Sequence, residues 1–568
     1  WMHLSAGRQG FPQNLSAPHL TMRIESFTIP KNNREIFIKP AYDDIPGLIE
    51  LNKERFKSYS FDINGIPFSR FREQVRSETL KKAGEYTEKI KSLCSKLNVA
   101  GTENLPSIDD AYKSGKDIIE TGHSPILAHP GVMIKHGLVN SIAKKVDGVG
   151  INMVVDNDAC HDDYLNIPNI NGPDSSVERI EFISGLYNLA FEEIRYTDSA
   201  QLTAFKESVL KVLHSPDMKK TFEDFINPVI RLSGETLGFT DLFTCARHAF
   251  LLRFGIGNLE VPVSLISETE PFLNFFLHIT ANARSVVNIY NAKLGEYRRL
   301  KKISSRANPL PDLMEKGYVV ELPFWVWCEG EPRKSLYASV ADNSRISVIC
   351  EDKIIEHFDF GENSSSSENL NRLGDLISKG IKIRPKAIVN TMYSRMFLSD
   401  LFIHGIGGAK YDLVTDEIIR EFFGVEPPAY ATVSATLHLP YKPFNVSNDD
   451  VTALKHVIKD MGYNPDKYAS GEIMEDAGMK SMVSEKKELI AGEAHNSEEK
   501  HRAFERLKEL NDLMKEEIRP LVEEKENELE DLEKRLKYNS IVTNREYPFC
   551  IYPESILGEL FTFEKNNI

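Results

Sequence analysis

Between Lys116 and Asp163 the chain reads KDIIETGHSPILAHPGVMIKHGLVNSIAKKVDGVGINMVVDNDACHDD, and this order constrains the fold more than any other part. Residues 118–120 are a short apolar run that Thr121-Gly122-His123 halts. Pro130 stands where a first helical turn begins, because its fixed φ and missing N–H cost nothing there. Ile134, Leu138, Ile142 and Val146 recur every four residues, one apolar stripe along a helix of about three to four turns. Gly148 and Gly150 end the helix, and 151–155 is a buried-type strand stopping at Asp156-Asn157-Asp158. Such a unit crosses over right-handedly, and ligands of parallel sheets gather at the carboxyl ends of the strands. The His123/His129 loop and the Asp156/Asp158 turn both fall at that end. It is the expected active site.

A second unit of the same kind comes much later. An apolar run at 396–403 leads through His404-Gly405-Ile406-Gly407-Gly408-Ala409-Lys410 to a helix expected over 412–423. Val414, Ile418 and Phe422 mark its buried face, and Gly424 stops it. The expected class is therefore α/β, with a doubly wound parallel core split between residues 22–174 and 361–440. Residues 175–316 read as a helical insertion, with amphipathic helices at 175–196, 198–212, 222–230, 270–281 and 285–300. Within 317–360 the period falls towards two, and four strands (318–327, 335–340, 345–350, 353–358) suggest a small antiparallel unit. Another strand is expected at 387–389. Residues 441–568 read as a charged helical region in which 484–538 are dominated by Glu, Lys, Arg and Leu, and Leu507, Leu510, Met514, Ile518 and Leu521 follow a coiled-coil-type spacing. Such a seam calls for a partner helix, most simply in a two-fold homodimer, with an intramolecular hairpin on the core as the rival. The aromatic end NREYPFCIYPE (544–554) is too apolar for a free tail.

Bulk numbers exclude several classes. The net charge of −15 favours neither nucleic acid nor an anionic membrane as a partner over the whole surface. There is no apolar run of the ~18 residues that a membrane span needs. The six cysteines (94, 160, 245, 328, 350, 550) show no paired spacing and read as reduced thiols of a cytoplasmic protein. Residues 1–21 offer no apolar periodicity and read as a disordered upstream extension, with Met22 as the expected start.

Three clusters can carry chemistry. His123 and His129, with Thr121, Gly122 and Gly131, lead into a helix N-terminus that favours anions, and Lys135 adds charge. Either histidine could instead satisfy backbone groups, and a zinc site with His161 lacks diagnostic spacing. Asp156 and Asp158 could serve as a general base or hold Mg²⁺, or cap a helix as a plain strand-end turn. The run His404, Gly405, Gly407, Gly408, Lys410 allows close backbone approach to an anion but lacks the spacing of a Walker A loop. Arg298, Arg299, Lys301, Lys302 and Arg306 are either a solvated helix end or a phosphate clamp.

These features in this order resemble the bacillithiol synthase (cysteine ligase) family. The segments are Thr121-Gly122 with Pro130-Gly131, a helix carrying Lys135, an acidic strand end (156–158), HGIGG before a helix ending FFGVEPP, SATL (434–437), and a long charged helix. The resemblance runs loosely from 22 to 560. It departs at His123-Ser124, where that family carries glutamine, and at Ala409-Lys410, where it carries a GGPGE-like run. The chain is also similar to bacterial proteins sharing the TGH-x-P, VDND, HGIGGAKYD and REYPFC segments. The resemblance implies a Rossmann-like core, a C-terminal coiled coil and a ligase joining cysteine to a sugar amine, with ATP and Mg²⁺ as candidate cofactors. Two alternatives stand beside it: a class I-type nucleotidyltransferase and a non-enzymatic coiled-coil scaffold.

Overall fold

The Ile118–His123 strand lies inside a six-stranded sheet of order 36–39, 430–435, 401–404, 118–123, 149–154, 259–262. All neighbours run parallel except the edge strand Ile36–Lys39, which is antiparallel to Tyr430–Ala435. This computed structural model describes residues 27–563 apart from 98–114, 162–163, 183–187, 196–198, 236–237, 343, 362–363 and 493–495. The extension expected over 1–21 lies outside the described residues. The protein is mixed α/β, and 57% of the described residues are helical.

Adjacent residues of the central strand show why both sheet faces need cover. Ile119 packs with Ile134, Leu138 and Ile142 of the Pro130–Lys145 helix, the first crossover helix. Ile118 belongs to the core on the other face, which also holds Ala409, Val414 and Ile418 of the Ile406–Phe423 helix, the second crossover helix. Successive side chains of a strand point to opposite faces, so each of these helices buries its stripe against one side. From Ile118–His123 the chain steps one way to Val149–Val154 and Leu259–Pro262, and the other way to Leu401–His404 and Tyr430–Ala435.

Several expectations need correction. Thr121-Gly122-His123 do not halt the strand but complete it, paired with Asn152–Val154. The described residues within 175–196 do not form the expected amphipathic helix. Ser176–Glu181 is a strand, hairpinned on Tyr164–Asn169 across an Asn171-Gly172 turn in which Gly172 has φ +54°. Gly adopts that φ without a Cβ penalty, and a turn so seeded overrides a loose helical pattern. The helical insertion also contains a core strand, Leu259–Pro262, too short to show a period. Residues 387–389 begin a helix (Ala387–Tyr393) rather than a strand, and 394–398 form a π-turn before Leu401–His404. The helix expected at 412 starts at Ile406, so Gly407 and Gly408 are its first turn and not a loop.

The small antiparallel unit has its four expected strands and two more, Glu315–Lys316 and Ile381–Pro385, both paired with Val319–Cys328. The basic run at 298–306 is neither a clamp nor wholly solvated. Arg298 is buried and donates to the carbonyls of Arg306, Asn308 and Leu310 and to Asp312, folding the following loop onto its helix. In the C-terminal region the seam is used within the chain. Leu510, Met514 and Ile518 are buried with Met461, Met479 and Val483 from two other helices, so these residues are not free to pair with a second copy. The chain then returns along Arg519–Val542, and Tyr547, Phe549, Cys550, Ile551 and Tyr552 pack into the main core. No helix among the described residues is long and apolar enough to cross a membrane.

Glu120, in the middle of the central strand, is fully buried. Burial raises its pKa from 4.5 to about 8, against the pull of the nearby Ser394 and Ser399 hydroxyls. The folded state therefore keeps a proton that the unfolded state releases above 4.5. Its contribution to stability is full below 4.5 and is lost as pH rises towards 8. Glu120→Gln stays neutral, so melting temperature should fall less between pH 5 and 8 in this variant than in the wild type. Parallel pH profiles for the two proteins would refute it.

Candidate functional site

The carboxyl ends of Ile118–His123 and Leu401–His404 sit side by side, paired through Leu401–Ile119 and Phe402–Glu120. The chain leaves them in opposite directions, so the sheet has its switch of strand order here, and a crevice opens outside it. This crevice is a cleft of about 530 Å³. Gly122, His123, His129, Gly131, Lys135 and Asp158 line it from one side, and His404, Gly405, Gly407, Gly408 and Lys410 from the other. Thr121 and Asp156 are not part of it. The Thr121 hydroxyl is spent on the Ile403 carbonyl (2.7 Å). The Asp156 carboxylate faces away and accepts from the Ser264 N–H (3.0 Å) and hydroxyl (2.6 Å). Burial and the neighbouring Glu192 raise it to about 7, but in a separate pocket beside Arg384 and Lys382.

Both crossover helices point their N-termini at the cleft. In the first, His129 is the cap: its Nδ1 accepts from the Gly131 N–H at 3.1 Å. Nδ1 is thus bare, and Nε2 faces the Glu546 carboxylate at 3.4 Å. The second helix is capped by Gly405 with no side-chain bond, which leaves its first N–H groups without a side-chain acceptor. The open space around the would-be Cβ of Gly407 gives a ligand access to this turn.

The charges are not where the sequence suggests. Burial, with Lys135 beside it, lowers His123 to about 3, and burial lowers His129 to about 4 against the pull of Glu546. Both are neutral at pH 7, so neither supplies positive charge to an anion. His123 Nδ1–H donates to the Ser124 carbonyl (3.0 Å), which leaves Nε2 as an acceptor. Lys135 is buried, and its ammonium donates to the Gly122 carbonyl at 2.7 Å. Burial, then Arg247, lowers it to about 7, so its charge is poised near neutrality.

Chain-distant residues complete the cleft. Arg545 and Glu546, from the C-terminal segment, reach in beside Gly131. Arg545 donates to the Ser434 hydroxyl (3.0 Å), while its Nη1 is buried without a hydrogen-bond partner. A Cβ at position 131 would come within 2.2 Å of Arg545 and 2.5 Å of the Ala435 carbonyl, so glycine is required there. Asn157 donates to the Pro385 carbonyl, and its Oδ1 is buried with no donor. His404 Nε2 donates to the Asp412 carboxylate at 2.7 Å. Asp412 also accepts from Thr391 (2.9 Å) and Arg395 (2.5 Å), and Arg395 continues to Asp416 (2.6 Å). Burial alone would raise Asp412, but Arg395 and His404 hold it well below the usual carboxylate range. His404 is thereby fixed with Nε2 protonated and Nδ1 bare, and a Cβ at position 408 would come within 2.8 Å of that Nδ1. That is the arrangement of a base held by an orienting carboxylate.

No protein-family model matches the chain, and no curated protein does. Arg545 and Glu546 carry no local signal, because what places them is the docking of a segment more than 400 residues from Gly131. Asp412 had a signal: it lies eight residues after His404, two helical turns into a helix that the glycines begin.

Proposed function

We propose that the protein is a carbon–nitrogen ligase-like enzyme that holds an anionic group between the two helix N-termini and joins a carboxylate to an amine. The observation that carries this reading is the convergence of two helix N-termini, Lys135, Lys410 and Arg545 on one crevice. Such ends bind phosphate or carboxylate through N–H groups and dipole together. The parallel strands, numbered along the chain, run 3-2-1-4-5 across the sheet, the order of Rossmann-like nucleotide-binding cores, which supports a nucleotide as co-substrate.

The residues present fit nucleotide phosphates. The first turn at 406–408, Lys410 and the unpartnered Nη1 of Arg545 would hold them. ATP, when bound, would convert the carboxylate oxygen into a leaving group. The protein's part is to orient and to move a proton. His404 Nδ1 takes the proton from the attacking amine, with Asp412 stabilising the imidazolium. Lys135 offsets charge that develops on the carbonyl oxygen. The substrate pair suggested by the family resemblance, cysteine and a sugar amine, is the first to try.

A panel of carboxylates and amines with ATP and Mg²⁺ tests the reading by amide formation and by phosphate or pyrophosphate release. His404→Ala should reduce turnover by roughly 10²–10⁴-fold, measured well below the unfolding temperature of the variant, because His404 is buried against Asp412 and its loss also destabilises the fold. The same strand order also favours the nucleotidyltransferase reading, which predicts pyrophosphate release with the nucleotide left on the product. If no anion shifts the melting temperature and no product forms, the enzyme reading fails and the scaffold alternative is left.

A further inference from the structure

The cleft does not end at His129. Ser124, His129, Asp158 and Glu546 are shared with a second, larger chamber of about 720 Å³. Its floor is apolar: Leu127 and three phenylalanines, of which Phe191 and Phe239 pack with tilted rings at 5.1 Å and Phe182 meets Phe239 edge-on at 6.2 Å. Its roof is the outer face of the Tyr164–Asn169 and Ser176–Glu181 hairpin, where Arg179 lies 4.2 Å over the Tyr164 ring. An apolar floor beneath a polar rim of Asn166, Arg179 and Arg333 suits the apolar body of a small organic molecule that also carries a polar group.

The junction between the two chambers has a definite sign. Its cations are withdrawn from water: Arg333 is 12% exposed and stacks on Trp325, and Arg545 is 13% exposed. Its carboxylates are open, with Asp158 55% and Glu546 61% exposed. Each touches its arginine only at 3.5 Å, so oxygen lone pairs are left for a ligand. The buried Oδ1 of Asn157, next in sequence to Asp158, also lacks a donor. A ligand at this point is therefore asked for N–H groups.

We propose that cleft and chamber form one two-room site, in which the chamber takes the aromatic or branched apolar body of a primary amine whose nitrogen lies at the Asp158–Glu546 junction. This rests on the ligase reading and names its second substrate class. It places the nitrogen between the anion room, where the carboxylate is held, and the apolar room, where the rest of the amine is bound.

Isothermal titration with 2-phenylethylamine and with inorganic pyrophosphate, each alone, separates the two claims. Asn166 is exposed on the hairpin and lines the chamber, so Asn166→Trp fills it from the rim without entering the core; Val177→Trp, exposed on the same hairpin away from the chamber, is the control. The amine should bind the wild type and Val177→Trp, and weaken by roughly tenfold or more in Asn166→Trp and in Asp158→Asn. Pyrophosphate should bind Asn166→Trp as it binds the wild type. Equal binding of 2-phenylethanol or 3-phenylpropionate, or an Asn166→Trp protein that binds the amine normally, overturns the proposal. Pyrophosphate binding without amine binding overturns the chamber and leaves the anion cleft standing. Amine binding without pyrophosphate overturns the ligase reading and leaves an amine site.

Discussion

Arg395→Met is expected to destabilise the protein by about 3–5 kcal/mol, the cost of stranding a buried charge. Arg395 is 1% exposed and ties together Asp412, Asp416 and the Pro428 carbonyl, with its guanidinium 4.7 Å from the Tyr430 ring. Methionine fills a similar volume but leaves two carboxylates facing each other in apolar surroundings. Burial already holds Asp416 at about 6 even with the arginine present. The loss should therefore be larger at pH 8 than at pH 5, where protonation relieves the stranded pair. Denaturant midpoints at both pH values measure this. A loss below ~1 kcal/mol at pH 8 would show that the network is replaceable by packing, which is known for some buried ion pairs.

The second large effect concerns Lys135. With its pKa lowered to about 7, the amine is charged at pH 6 and mostly neutral at pH 8.5. Only the charged form attracts an anion, so pyrophosphate affinity of the wild type should fall as pH rises through 7. Lys135→Met should lower affinity at pH 6 by roughly 10–100-fold, because the lost partner is a charged group in a desolvated cleft. It should also remove the Lys135 part of the pH dependence. A variant whose affinity falls with pH just as the wild type does would move that dependence to another group. His123 and His129 are not candidates, since both are neutral throughout this range.

What the sequence discloses here is the parallel core and one face of its cleft. The four-residue spacing of Ile134, Leu138 and Ile142 marks a helix whatever surrounds it, and Pro130 fixes where it begins. The switch of strand order does not show in any window, because Ile118–His123 and Leu401–His404 are brought together only by tertiary pairing. Asp156 and Asp158 look equivalent in the segment DND, yet the turn that follows the Val149–Val154 strand sends them to different pockets. Ionisation states were also hidden. A histidine in a helix-capping loop reads as a cation for an anion site, but burial beside Lys135 makes both histidines neutral. The same holds for Cys94 and Cys245, 151 residues apart in sequence, whose thiols lie 3.6 Å from each other in the core.

The pairing of the two central strands has a consequence for synthesis. The Ile118 N–H donates to Asp400, and the Thr121 hydroxyl to the Ile403 carbonyl, each across 282 residues. At typical translation speeds of roughly 5–20 residues per second, the first strand waits on the order of tens of seconds for its neighbour to leave the ribosome. During that interval one edge of an apolar parallel strand is uncovered, and such an edge invites pairing with other chains. Nascent chains halted before residue 400 should thus engage chaperones or aggregate, while those extended past the Tyr430–Ala435 strand should not. Yield in cells would then be limited less by the stability of the finished protein than by how long this edge stays open.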